Sequence, residues 1–291
     1  MTQFIPAPRE SGYTQTTAVP LYWARYGAAG APQLLVLHGG PGAHHDYLLP
    51  QMLELARDHE LVFYDQRGGG KSKSDQAAPI TWRTHVDDLA LTARELISGP
   101  LTLAGYSWGG LLSMLYATSR ISPFVSRMVL IAPASVTREH RKVFETEFAR
   151  RQESDWVKSE RAALVASGLR ERDPDAYRQR GFELSVAGYF AHMENAHDLT
   201  PFRVTSRVQQ SVWESLGDFD VRPGLRTLSI PSVVLQGRQD PIPLASGEEI
   251  AGALRARLVV LEDCGHVPYV ERPAELFSAI RSFLSAVPTT D

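Results

Sequence analysis

Ser107 stands at the centre of Gly105-Tyr106-Ser107-Trp108-Gly109, a Gly-x-Ser-x-Gly pentapeptide of the kind that presents a serine hydroxyl for attack on a carbonyl carbon. The apolar run 101–104 precedes it and the helix-forming stretch 111–118 follows. Strand before and helix after are the context that separates a nucleophile elbow from a serine with small neighbours by chance. A sharp strand-to-helix turn exposes the central side chain, and glycines on both sides let adjacent backbone pass without a Cβ clash. A hydroxyl is a poor nucleophile until a base takes its proton. That base needs a third group to fix its tautomer and stabilise the imidazolium. The pentapeptide therefore predicts an acid and a histidine at later strand ends, together with donors for an oxyanion.

In an open parallel sheet, catalytic groups gather outside the carboxyl ends of the strands. Asp240, within Gly237-Arg238-Gln239-Asp240-Pro241, follows the apolar run 232–235. His266, within Asp263-Cys264-Gly265-His266, follows the run 258–261. Asp218 and Asp220 compete for the acid role, but they precede a strand rather than follow one. One oxyanion donor is then the backbone amide of Trp108; the other is expected from the loop His38-Gly39-Gly40-Pro41-Gly42 after the run 33–37. Gly40 is the choice there, since Pro41 stiffens the turn and has no N–H. Adjacent His44 and His45 have no third ligand at suitable spacing, so no metal is expected. Asp87 and Asp88 read as a solvated helix face, and Cys264 as a small buried residue beside the histidine loop. Side chains alone complete this acid–base chemistry, and no cofactor is implied.

The elements that must position these groups alternate in the α/β manner. Apolar runs 33–37, 61–64, 101–104 and 128–131 read as parallel strands, with helices 47–57 and 84–97 between them. Residues 13–26 alternate in polarity and contain Pro20, which suits an antiparallel edge hairpin. Strands resume at 232–235 and 258–261, each followed by a helix, 245–254 and 273–284. The expectation is a mostly parallel central sheet flanked by helices, built from residues 1–136 and 223–291. After the fourth parallel strand the pattern changes: residues 137–222 are charged and helix-forming, without strand-like runs, and read as an inserted helical cap. Val143, Phe144 and Phe148 share one helical face in it, and Trp156, Leu164 and Tyr189 extend its apolar inventory.

Composition excludes several classes. A chain of 291 residues with 43% hydrophobic and 22% charged residues can bury one large core. A net charge of −3 without a long basic run removes the electrostatic footprint of a nucleic-acid binder. No signal-like start and no apolar stretch of about 18 residues is present, so a cytoplasmic chain without a membrane partner is expected. With Cys264 as its one cysteine, the chain can form neither an internal disulfide nor a thiolate metal cluster. Oligomeric state is left open.

Three motifs in order, His38-Gly39-Gly40-Pro41-Gly42, Asp65-Gln66-Arg67-Gly68-Gly69-Gly70-Lys71-Ser72 and Gly105-Tyr106-Ser107-Trp108-Gly109-Gly110, resemble the proline iminopeptidase branch of the α/β-hydrolase superfamily. The resemblance covers most of the first 135 residues and resumes near residue 230. It implies the α/β-hydrolase fold, a Ser107–Asp240–His266 triad, oxyanion donors at Gly40 and Trp108, and a bracing role for Asp65 and Arg67. It also implies release of a small N-terminal residue from short peptides, with cap glutamates holding the free amine. Here the pattern departs. A typical bacterial member has a glutamate just before His-Tyr-Phe, whereas Ser185-Val186-Ala187 precede Gly188-Tyr189-Phe190. Glu183, Glu194 and Glu214 remain candidates for an amine site. The same machinery acting on esters, lactones or amides without a free amine is the alternative, with Phe144, Phe148, Trp156, Tyr189, Phe190 and Trp213, beside Gly39, lining an acyl pocket. A non-catalytic binding protein would instead carry a broken triad or oxyanion loop.

Overall fold

The computed structural model describes residues 5–74, 78–119 and 125–286. Its strands are β1 Glu10–Tyr13, β2 Tyr22–Tyr26, β3 Gln33–Leu37, β4 Glu60–Tyr64, β5 Leu101–Tyr106, β6 Val125–Ile131, β7 Ser232–Gly237 and β8 Arg257–Leu261. They form one sheet in the order β1-β2-β4-β3-β5-β6-β7-β8. β2 runs antiparallel to β1 and β4, so the expected hairpin sits at the edge; every other pair is parallel. Fully buried parallel strands need apolar residues on both faces, and β4 and β7 are buried at every position. Alternation along the strands then divides the core in two. Leu35, Leu37, Val62, Tyr64 and Leu103 enter one cluster, while Leu34, Val36, Leu61, Phe63 and Ala104 enter the other.

Helix α1, Trp82–Leu96, opens on a capping box in which Thr81 and Thr84 satisfy each other's backbone amides. Helix α2, Trp108–Ala117, is buried throughout, which suits its nearly continuous apolar sequence. Between β6 and β7 lie α3 Arg138–Gln152, α4 Asp155–Ala166, α5 Leu169–Arg172, α6 Pro174–Val186, α7 Ser206–Leu216 and α8 Arg222–Leu225. Side chains of Thr137, Ser154 and Asp173 cap α3, α4 and α6. The two ends of this stretch meet: Thr137 bridges Asp220, and the Val221 amide donates to the Val136 carbonyl at 3.0 Å. After β7 come α9 Leu244–Leu254, and after β8 α10 Pro268–Glu271 and α11 Pro273–Ser285. Among the described residues, no helix is long and apolar enough to cross a membrane.

Two expectations need correction. The helix over 47–57 is two 3-10 segments, His45–Leu48 and Gln51–Arg57. Pro50 lies at the break; a residue before proline is pushed out of the helical region, and Leu49 is extended with ψ 149°. Asp88 is not on a solvated face. Asp87 is exposed, but Asp88 points inward and takes the Arg67 Nε at 2.8 Å, because the 100° step between neighbours puts the two on different faces of α1.

Candidate active site

Ser107 follows β5 and caps the N-terminus of α2 with φ 53° and ψ −117°, a conformation that costs a non-glycine residue about 1–3 kcal/mol. Neighbouring backbone holds it there. Its amide donates to Ile131 O at 3.0 Å, and its carbonyl accepts from the amides of Gly110 and Ala134, both at 2.9 Å. The flanking glycines are required sterically. A Cβ on Gly105 would lie 2.4 Å from Gly109 O, and one on Gly109 would lie 2.1 Å from Leu37 O.

The loop after β8 brings His266 Nε2 to 2.9 Å from Ser107 Oγ. Its Nδ1 lies 2.9 and 3.1 Å from the carboxylate oxygens of Asp240, on the loop after β7. Asp240 Oδ1 also accepts from the Ile242 amide at 2.8 Å, which fixes the carboxylate. Asp240 and His266 are buried, and Ser107 is half-buried. Asp220 is ion-paired with Arg222 on the surface, so it is not the acid partner. The His266 loop is clamped to the inserted helices: its amide donates to Tyr189 O at 2.6 Å. Glu271 accepts the amides of Gly265 and Ala191, both at 2.8 Å.

On the other side of Ser107 lies the loop after β3. Gly39 approaches so closely that a Cβ there would sit 3.1 Å from Ser107 Cβ. The Gly39 amide donates to Tyr47 Oη at 2.6 Å, and its carbonyl accepts from His38 Nδ1 at 2.7 Å. Gln66 ties this loop to the start of α2. Its side chain accepts from Trp108 Nε1 at 2.8 Å and donates to His38 O at 2.8 Å, while its amide donates to His38 Nε2 at 3.0 Å. Asp65 accepts from the amides of His45 and Lys71 and from His45 Nδ1, at 3.0, 2.8 and 2.7 Å. Burial raises the Asp65 carboxyl, but these hydrogen bonds and the neighbouring histidines carry it below the ordinary carboxylate range. His45 is thereby spent on Asp65, and burial pushes the Cys264 thiol up. Asp65 braces this region and Arg67 ties the same segment to Asp88 on α1; Gln66 lies in the Asp-Gln-Arg-Gly segment, but its bridge to Trp108 spans 42 residues and was not read from the sequence.

The predicted wall residues divide. Tyr189 lies over His266, with ring centroids 5.2 Å apart, and stacks with Phe148 at 4.4 Å and Phe144 at 6.3 Å. Trp213 meets Trp108 edge to face at 5.2 Å. Phe190 is closed inside the second core cluster, and Trp156 packs against that cluster rather than against the triad side chains. Glu183 is buried but ion-paired with Arg180 at 2.8 Å. Glu194 and Glu214 stay exposed. Two aromatic residues were missed: Tyr47, which touches Gly39, and Phe202, which stacks on it at 4.4 Å.

A mostly parallel sheet with a strained serine at its central strand-to-helix turn, an acid and a histidine on later strand ends, and helices inserted between them define an α/β hydrolase. The sequence profile of the alpha/beta hydrolase family matches residues 34–279, and the chain belongs to that family. A protein of Pseudomonas savastanoi pv. phaseolicola, provisionally named carbamate hydrolase RutD, is 28% identical over 89% of this chain and 95% of its own. The proline iminopeptidase of Heyndrickxia coagulans is 26% identical over 89% of this chain and 92% of its own. The crystal structure of a proline iminopeptidase-related protein from Thermus thermophilus shares the fold, with a TM-score of 0.72 and 23% identity over 94% of this chain and 96% of that one. This chain is therefore an α/β hydrolase with proline iminopeptidase-like relatives.

Proposed function

We propose that this hydrolase works through an acyl-enzyme formed on Ser107. The reading rests on the unbroken hydrogen-bonded line from Ser107 Oγ through His266 to Asp240. His266 Nε2 takes the hydroxyl proton as Oγ attacks the acyl carbon, and Asp240 stabilises the imidazolium and keeps Nδ1 protonated. The developing oxyanion is held by the amides of Gly40 and Trp108. Commitment of the Gly39 amide to Tyr47 favours Gly40 as the loop donor. His266 then returns the proton to the leaving group, and a water activated by the same nitrogen releases the acid. Residues 137–222 act as the cap over this site, and 1–136 with 223–291 as the catalytic core. A single cysteine, unable to form an internal disulfide, fits a reducing cytoplasm.

For the substrate, we favour an ester, amide or related acyl compound without a free amine. A desolvated ammonium needs an anionic partner. Glu183 is ion-paired with Arg180, which also holds Glu160, and Glu194 and Glu214 are solvated. Phe144, Phe148, Tyr189 and Trp213 form aromatic walls suited to an acyl chain. The second reading, release of an N-terminal residue, is supported by the iminopeptidase relatives and the His-Gly-Gly-Pro-Gly loop.

Prolyl and alanyl arylamides, their N-acylated forms and short-chain aryl esters separate the two readings. Ester turnover without arylamide turnover is expected; arylamide turnover abolished by N-acylation would establish the peptidase instead. A fluorophosphonate should label Ser107, and Ser107→Ala should lose both label and turnover. An active Ser107→Ala enzyme would remove the serine from the mechanism.

A further inference from the structure

A cation stands beside the aromatic walls, where an amine substrate would need an anion. Arg141, in the first turn of α3, holds its guanidinium 4.0 Å from the Trp213 ring centroid and 4.9 Å from that of Phe144. Trp213 is the ring that meets Trp108, and Phe144 stacks with Tyr189, which lies over His266. One ring therefore separates Arg141 from the residue after Ser107, and two separate it from His266. The Arg141 side chain is only 17% exposed. Its Nε donates to Glu145 at 2.8 Å; among the described residues, Nη1 and Nη2 have no hydrogen-bond partner.

Glu145 pairs with Arg141, but that carboxylate is shared. Arg138 approaches the same Glu145 oxygen at 3.6 Å, so two guanidiniums share one carboxylate that is itself 43% exposed. A cleft of about 620 Å³ between α3 and α7 is lined by Arg138, Arg141, Glu145, Trp213 and Glu214, among others. Glu214 is the exposed acid of the α7 wall, and its carboxylate accepts from Gln210 at 2.7 Å. Burial lowers the Arg141 pKa and its bond to Glu145 raises it, but an arginine stays charged at neutral pH. A planar guanidinium seated on aromatic faces keeps its fork in one orientation, and that fork matches a carboxylate with two parallel hydrogen bonds.

We propose that Arg141 is a specificity-determining residue that binds a carboxylate carried on the acyl portion of the substrate. The preferred substrates are then esters or amides of short acyl groups ending in a carboxylate, such as half-esters of dicarboxylic acids. The inference rests on the acyl-enzyme reading of Ser107. It adds the charge of the acyl group, a property that the triad leaves open.

The test compares the mono-4-nitrophenyl ester of glutaric acid with its methyl-capped, neutral counterpart. Native enzyme should favour the anionic ester at least about 10-fold in kcat/KM, as expected for a desolvated bidentate pair. Arg141→Met should abolish that ratio, and Arg141→Lys should restore part of it. In case Arg141→Met folds poorly, native enzyme supplies a second measurement: glutarate should inhibit neutral-ester hydrolysis competitively and glutaramide should not. Glutarate binding is also read through tryptophan fluorescence, since Trp213 lies under Arg141. Equal or better turnover of the neutral ester, with no inhibition by glutarate, would overturn the role of Arg141 and leave the hydrolase reading standing. No ester turnover and no labelling of Ser107 would overturn the hydrolase reading. In that case a fluorescence response to glutarate lost in Arg141→Met would still uphold the carboxylate site, and no response would end it.

Discussion

Gly39→Ala puts a methyl group where the loop after β3 packs closest to Ser107. A Cβ there lies 2.7 Å from Tyr47 Oη, 3.1 Å from Ser107 Cβ and 3.3 Å from Tyr106 Cδ1. Carbon atoms settle at about 3.5–4.0 Å, so the loop and Ser107 must part by roughly 0.5–1 Å. Tyr47 cannot retreat freely, because its hydroxyl accepts the Gly39 amide at 2.6 Å. A displacement of about 1 Å between reacting groups costs on the order of 100-fold in rate, and overpacking costs about 1–3 kcal/mol of stability. We therefore expect kcat to fall about 100-fold with a much smaller change in KM, and urea unfolding to report the loss in stability. Tyr47→Phe removes the 2.7 Å contact. The double variant should then lose less than the two single losses combined, by about 1 kcal/mol or more. Gly252→Ala is the control: in α9, where a Cβ meets nothing within 4 Å, it should leave kcat unchanged and add up to about 1 kcal/mol of stability. Full activity in Gly39→Ala, or strictly additive losses, would refute the packing of this loop against Ser107.

Two further predictions concern stability. Desolvation lowers His38 and His85 from 6.5 to about 4, so between those values the unfolded chain binds protons that the folded chain refuses. Their contribution is complete above about pH 6.5 and is lost as pH falls toward 4, by about 3 kcal/mol each at most. Asp88, raised to about 6 by burial against the hydrogen bonds of Arg67, titrates with the opposite sign and offsets about one histidine. Urea unfolding from pH 7 to 4.5 should show the net decline, and His85→Gln should flatten it; a flat profile in the native chain contradicts the buried neutral histidines. Arg67→Met strands Asp88 without its cation and should cost about 3–5 kcal/mol, with Arg67→Met/Asp88→Leu recovering most of it. A loss below about 1 kcal/mol would mean that the pair is solvated.

Much of the scaffold was legible because its signals are local. Strands 33–37, 61–64, 101–104, 128–131, 232–235 and 258–261 all appear, lengthened by at most three residues at either end, since buried parallel strands are apolar throughout. The meeting of Ser107, Asp240 and His266 followed from where each stands relative to its strand. The helix over 47–57 failed because Pro50 outweighed a helical apolar pattern, and Asp88 because charge alone says nothing about which face of a helix is buried. Phe190, read as a pocket wall, is closed inside the core, a role for which an aromatic side chain is equally suited, and Phe202 carried no local signal at all.

By itself the sequence determined which residues are available for the proposed chemistry: a glycine-flanked serine, an acid and a histidine after later strands, and a glycine loop are each set by steric needs within a few residues. Tertiary structure decided what surrounds that chemistry. It paired Glu183 with Arg180, left Glu194 and Glu214 in water, joined Trp108 to His38 through Gln66, and seated Arg141 on Trp213. The charge and shape of a pocket are sums over side chains from distant segments. Desolvation and pairing exist only after those segments pack, so residue types along the chain cannot specify them.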